Sequence, residues 1–183
     1  MKDYTFAMLW SKVFLSRKSF TSFSGSEIAV ALLFPMETLF ESYIAVQLKH
    51  LLNNSDYTVS AQDKTHHLFE SPTKFLMKPD IVIKNDNSVF VMDTKWKLLS
   101  ETKANYGISQ ADMYQMYAYQ KKYSAESVTL LYPMTDKVNA EKAIEYSSLD
   151  GAVVQAKFVD LFNVKESLSV ILEDVIYKKA DLK

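Results

Sequence analysis

Two short apolar runs decide how this chain folds: Lys78-Pro79-Asp80-Ile81-Val82-Ile83 and Val89-Phe90-Val91-Met92-Asp93-Thr94-Lys95-Trp96-Lys97. Asp80 follows a proline and opens a β-branched run. Asp93 interrupts four apolar residues, and Lys95 follows it at period two, on the same strand face. The polar linker Lys84-Asn85-Asp86-Asn87-Ser88 between the runs predicts an antiparallel hairpin, which sets Asp80 beside Asp93. Taken singly, most strand-terminal charges simply reach water, so Asp80 alone reads as a turn cap and Asp93 with Lys95 as a solvated strand end. Together they read differently. Two adjacent carboxylates repel unless a cation lies between them, and all-oxygen ligation suits a hard cation such as Mg2+. With a lysine at the same end, the set implies a metal-dependent phosphodiesterase site.

Pro79-Asp80 followed by Asp93-Thr94-Lys95 resembles the PD-(D/E)xK nuclease signature, with aspartate at the second acidic position. Further blocks sharpen the likeness: Phe34-Pro35-Met36-Glu37-Thr38-Leu39-Phe40-Glu41-Ser42-Tyr43, Asp93-Thr94-Lys95-Trp96-Lys97, Ile108-Ser109-Gln110-Ala111-Asp112-Met113-Tyr114-Gln115-Met116-Tyr117-Ala118-Tyr119 and Leu130-Leu131-Tyr132-Pro133. In that order they resemble the catalytic domain of the McrC family, the nuclease subunit of GTP-dependent, modified-cytosine-directed McrBC restriction systems. The resemblance implies an α/β, restriction-endonuclease-like (PD-(D/E)xK) core with a mixed central sheet flanked by helices. It also implies DNA as substrate, an AAA+ GTPase of McrB type as partner, and Mg2+ as cofactor, with Mn2+ as a substitute.

The same resemblance extends the site. Glu37 and Glu41 share one helix face; Glu37 reads as a solvent-exposed helix former, whereas Glu41 aligns with the family's acidic position after Leu-Phe. Asp80, Asp93 and Glu41 are expected to hold one or two Mg2+ ions, with the Thr94 carbonyl as a further ligand. Lys95 is expected to stabilise developing negative charge or position the nucleophile. Gln115 and Tyr119 resemble the Gln-x-x-x-Tyr motif of RecB-like nucleases, near the metal and DNA. Gln110 and Tyr114 fit the same spacing, and only the family context Asp-x-Tyr-Gln selects Gln115. The four helical tyrosines Tyr114, Tyr117, Tyr119 and Tyr123 suit a core edge equally well, and Asp112 reads as structural.

At 183 residues, 48% of them apolar, the chain has the material for one substantial core. The expected organisation is an N-terminal helix and Ser-rich loop over 1–26, then the nuclease domain over 27–183. McrC proteins usually carry an N-terminal domain that contacts the GTPase; this chain has no room for it, so a short natural version or a trimmed chain is expected. No cysteine is present, which fits a reducing cytoplasm and excludes disulfides and thiolate zinc. No apolar run nears the roughly 20 residues of a membrane span, and the segment Tyr4–Trp10 is broken too early for a signal peptide.

Three glycines cannot furnish a phosphate-binding loop, so GTP hydrolysis is expected in another subunit. His66 and His67 point to opposite strand faces and cannot share an ion, and no Gly-x-Ser-x-Gly elbow supports a serine hydrolase. A net charge of −1 excludes a basic nucleic-acid coat and favours delivery to DNA by a partner. The cation clusters Lys12/Arg17/Lys18, Lys95/Lys97 and Lys121/Lys122 each read as a solvated face.

Helical spacing predicts helices over Lys2–Leu15, Leu39–Leu52, Ser109–Tyr123 and Val164–Lys178. Strands are expected at Tyr57–Ala61, His66–Glu70, Pro79–Lys84, Ser88–Lys95, Ser127–Tyr132 and Val153–Val159. Cleaving both DNA strands needs two sites, so pairing as a homodimer or through the partner is expected. A different reading remains open, a noncatalytic module of the same fold that docks on an AAA+ GTPase or DNA. So does a nuclease serving another defence system.

Overall fold

The run Ile81-Val82-Ile83 predicts a strand buried on both faces, and in the computed structural model of the chain all three side chains are buried. The structure describes residues 35–138 and 144–177. The helix expected at Lys2–Leu15, the Ser-rich loop, the 26/27 boundary and the Lys12/Arg17/Lys18 cluster lie outside the described residues. The unit considered below is Met36–Lys183.

Helix α1 (Met36–Leu52) precedes β1 (Thr58–Ala61), β2 (His67–Glu70), β3 (Thr73–Leu76), β4 (Ile81–Lys84) and β5 (Val89–Thr94). Then come α2 (Gln110–Tyr123), β6 (Ser127–Pro133), β7 (Ile144–Ser147), β8 (Val153–Val159) and α3 (Val164–Leu172), which continues as a wider π-helical turn to Tyr177. Six strands form one mixed sheet in the order β1-β4-β5-β6-β8-β7, while β2 and β3 pair separately. β4 and β5 are antiparallel neighbours, as the polar linker predicts, with Ile81 opposite Met92. β5, β6 and β8 run parallel.

The period-two rule sorts this sheet cleanly. Ile81, Ile83, Phe90 and Met92 pack with Phe40, Ile44 and Leu48 of α1 and Leu168 and Leu172 of α3. Val82, Val91, Val128 and Leu130 face the other way, against Met116, Tyr119 and Tyr123 of α2. Asp80 and Asp93 continue the second series, so they emerge on the α2 side at one end of the hairpin.

Several element ends differ from the sequence expectation for local reasons. β4 begins at Ile81 rather than Pro79, since proline has no N–H to give a ladder. Neither β3 nor β7 was expected: Thr73–Leu76 is exposed throughout, and Ile144–Ser147 is a four-residue edge strand, so neither carries a buried apolar run. Among the described residues, no helix is long and apolar enough to cross a membrane.

Candidate active site

At the open end of the β4–β5 hairpin, a cavity of about 290 Å3 is walled by Glu37 and Glu41 from α1, Lys78 and Asp80 before β4, the run Asp93–Lys97, and Gln115 from α2. Asp93 is 2% exposed. Burial pushes its carboxyl up to about 6, and the charge of neighbouring Asp80 adds to the rise, against the attraction of Lys95. Asp80 is held by Thr94, whose backbone N–H and hydroxyl both donate to Asp80 Oδ2 at 2.7 Å. Thr94, expected to lend a carbonyl to a cation, therefore also orients the first acid.

Past β5 the alternation continues and assigns three successive side chains. Lys95 turns to the α2 side, where its Nζ donates to Asp93 Oδ2 and, at 3.3 Å, to Gln115 Oε1. Trp96 turns to the other layer, its ring 5.4 Å from that of Phe40. Lys97 returns to the α2 side and donates to Asp112 Oδ2 at 2.8 Å. The expectation that Lys95 and Lys97 form a solvated face is corrected for Lys95, which is half-buried against Asp93, whereas Lys97 pairs with Asp112 and stays exposed. Lys121 and Lys122, by contrast, pair on the surface with Asp150 and Glu70.

Asp112, read as structural, reaches both lysines. Burial raises its carboxyl, but its contacts with Lys97 and Ser109 and the nearby charge of Lys95 outweigh this and hold it below the usual range. Its Oδ1 lies 3.9 Å from Lys95 Nζ, so Asp112 helps fix both lysines.

The geometry separates the two Gln-x-x-x-Tyr pairs. Gln115 Nε2 donates to the Tyr119 hydroxyl at 3.0 Å while Gln115 Oε1 holds Lys95. Burial and the charge of Asp93 push Tyr119 up to about 12, so it stays a neutral phenol. Gln110 and Tyr114 bond to each other on the exposed side of the helix, away from this cavity.

Glu41 belongs to α1, on the opposite layer from Asp80 and Asp93, and reaches the cavity around the strand ends. Its Oε1 accepts a hydrogen bond from Gln62 Nε2 at 2.8 Å. Sequence reasoning missed Gln62, which stands at φ 50 just past β1 and donates its backbone N–H to the Asp80 carbonyl at 2.7 Å. A glutamine after a short strand carries no sequence signal of such a role. Glu37, read as a solvent-exposed helix former, is exposed and also lines the cavity.

Among the described residues, no three His, Cys, Asp or Glu side chains gather into a preformed metal cage. A two-carboxylate set nonetheless suits Mg2+, which is commonly held by one or two carboxylates and completes its shell with water and substrate phosphate. Asp93 is raised first by burial and then by repulsion from Asp80, and a cation between the two acids would relieve that repulsion. A larger hollow of about 480 Å3 lies along β8 and α3. Within it Lys157 pairs with Asp174 and Asn163 donates to Asp160, but both acids are only half-buried, unlike Asp93.

The fold and cavity define an α/β protein with paired acids and a half-buried lysine at the end of a central hairpin. A family model described as "McrBC 5-methylcytosine restriction system component" matches residues 1–133, and the chain belongs to that family, the one to which its McrC-like blocks point. Among solved structures, a chain in the refined half-complex from a tetradecameric assembly of Thermococcus gammatolerans McrB AAA+ hexamers with bound McrC superposes with a TM-score of 0.61 at 18% identity. The match covers 77% of this chain and 33% of that one; at this identity it shows the fold alone. No curated protein matches the chain.

Proposed function

We propose that this chain is the DNA-cleaving subunit of an McrBC-type restriction system, a magnesium-dependent endonuclease of the PD-(D/E)xK type that works with an AAA+ GTPase of McrB type. One observation carries the reading: Asp80, Asp93 and Lys95 share one cavity wall at the end of β4 and β5, with Asp93 buried and raised to about 6 beside Asp80. The GTPase partner is supported by the family and by the complex in which the similar chain was solved.

In the proposed reaction, water adds to a phosphorus of the DNA backbone, one P–O bond to a deoxyribose oxygen breaks, and the departing oxygen takes up a proton that the attacking water has lost. Asp80 and Asp93 would hold Mg2+, with Glu41 and the Thr94 carbonyl as further ligands. The chemistry Mg2+ supplies when bound is polarisation of the phosphoryl oxygen and a lowered pKa for the attacking water. Lys95 presents its ammonium to the negative charge that grows on the phosphoryl group, at a position fixed by Gln115 and Asp93. Tyr119 fixes Gln115 in turn. Lys97 and Lys78, in the same cavity wall, supply cations for phosphates of the strand.

Plasmid cleavage with Mg2+ or Mn2+, with and without the cognate GTPase and GTP, tests this reading. Metal-dependent cutting is expected, and Asp93→Ala is expected to abolish it while the circular dichroism spectrum stays that of the parent. An active Asp93→Ala protein would remove Asp93 from the site. The noncatalytic docking module has two observations in its favour, that Glu41 is engaged by Gln62 and that, among the described residues, no three acids cluster. Titration calorimetry separates the two, since a docking module need not bind Mg2+ at Asp80 and Asp93.

A further inference from the structure

We propose that the β2–β3 hairpin is a DNA-contacting arm that grips the duplex beside the cleaved phosphate, with Phe69 and Phe75 as its apolar tip and Lys74 as its phosphate contact. The proposal rests on the nuclease reading for its substrate, and on three features of the hairpin for its location.

The first is backbone strain that exposes an aromatic. In the hairpin register His67 faces Leu76 and Phe69 faces Lys74, which leaves Phe75 across from Leu68. Leu68 packs toward the core under α2, and regular pleating would send Phe75 to the same side. Phe75 instead stands at φ 60, a left-handed conformation rare for a bulky residue. Its ring lies 5.9 Å from that of Phe69, edge to face, with Phe75 71% and Phe69 53% exposed. Strain that moves an aromatic from the core side to solvent gives back only this exposed ring pair, and such strain clusters at functional positions.

The second feature is charge. Residues 64–78 carry Lys64, Lys74 and Lys78 against one acid, Glu70, a net charge of +2 within a chain whose total is −1. Glu70 is itself paired with Lys122 of α2. The three lysines are exposed, so the segment complements a polyanion.

The third is reach. Four residues lead from Leu76 at the end of β3 to Asp80, a span of at most about 14 Å, or roughly four base pairs of B-form DNA. Lys78, midway along that link, already lines the cavity. A duplex with a phosphate at Asp80 and Asp93 therefore runs past the root of the hairpin. A two-stranded ribbon is also of the size that the major groove admits.

The test is DNA cleavage by the full chain with its GTPase, GTP and Mg2+, comparing the parent with the double variant Phe69→Ser and Phe75→Gly. Glycine accepts φ 60 without strain, so the thermal midpoint of Phe75→Gly alone is expected not to fall, whereas a purely structural ring would lower it. The double variant is expected to raise the KM for DNA about tenfold, the scale on which aromatic contacts to bases act, with kcat within about twofold. A parental KM in the double variant overturns the proposal while the nuclease reading stands. A parental KM with lost self-association or lost GTPase binding also overturns it, and reassigns the tip to protein docking. Should the parent cut no DNA under any condition, the nuclease reading falls and duplex binding by fluorescence anisotropy decides for the arm. Binding about tenfold weaker in the double variant sustains it, and equal or absent binding overturns it.

Discussion

The chain forms two hairpins in succession from strands of similar length, and they differ in what surrounds them. β4–β5 lies within the six-stranded sheet, covered on one face by α1 and α3 and on the other by α2, so its apolar residues are almost wholly buried. β2–β3 is a two-stranded sheet of its own, with β3 exposed along its length. The packed hairpin can hold Asp93 out of water and raise its pKa, because surrounding layers fix the backbone that carries it. The open one presents side chains to whatever approaches. On the proposed reading, one positions the reacting groups and the other binds.

The sharpest way to break this contrast is to remove an aromatic from each hairpin. Phe90 is 1% exposed and its ring lies 6.2 Å from that of Tyr57. Phe90→Ala is expected to cost about 3–5 kcal/mol in urea unfolding. Phe69→Ala, at an exposed position, is expected to stay within about 0.5 kcal/mol. Comparable losses at the two positions would mean that β2–β3 belongs to the cooperative core.

The buried acid sharpens the comparison in the opposite sense, since it should be a burden on the fold. The carboxyl of Asp93 is raised from 3.8 to about 6, so between those values the folded chain binds more proton than the unfolded one. Stability contributed by this group is therefore full below about pH 4, falls as pH rises to about 6, and stays lost above. The raised value already includes the attraction of Lys95. In metal-free protein Asp93→Asn is accordingly expected to raise stability at pH 7.5, by on the order of 2–3 kcal/mol, and by little at pH 4. Thermal unfolding at both pH values checks this. Mg2+ should raise the midpoint of the parent and leave that of Asp93→Asn unmoved.

The same contrast explains what the sequence disclosed. β4–β5 was legible because buried runs such as Ile81-Val82-Ile83 and Phe90-Val91-Met92 are apolar and bounded by turn residues, and the acids stand out against them. The helices were legible for the same reason, through their spacing against one face. β3 was not, because Thr73-Lys74-Phe75-Leu76 buries nothing and so leaves no pattern. The links from Asp112 to Lys97 and Lys95 and from Gln62 to Glu41 were hidden too, since they join residues distant in the chain through polar side chains with no periodicity. Lys95 differs from a solvated lysine only once α2 is seen to bring Gln115 and Asp112 beside it.

Gln62 sits where the two hairpins are rooted, after β1 and ahead of β2. Its backbone N–H ties the chain to Asp80 and its side chain holds Glu41. If Glu41 matters to cation binding, then Gln62→Ala should act through that acid, because alanine keeps the backbone bond and loses only the side-chain donor. The stability cost is expected to be small, about 0.5–1 kcal/mol for a hydrogen bond at an exposed site. The telling readout is Mg2+ affinity by calorimetry. A loss of about tenfold, the scale of residues that orient a ligand from behind, would make Gln62 a positioning residue. Gln62→Asn, which keeps the amide but shortens its reach to Glu41, should lose as much. Unchanged affinity in both variants would leave Asp80 and Asp93 to hold the cation without α1, and would confine the reacting groups to the packed hairpin alone.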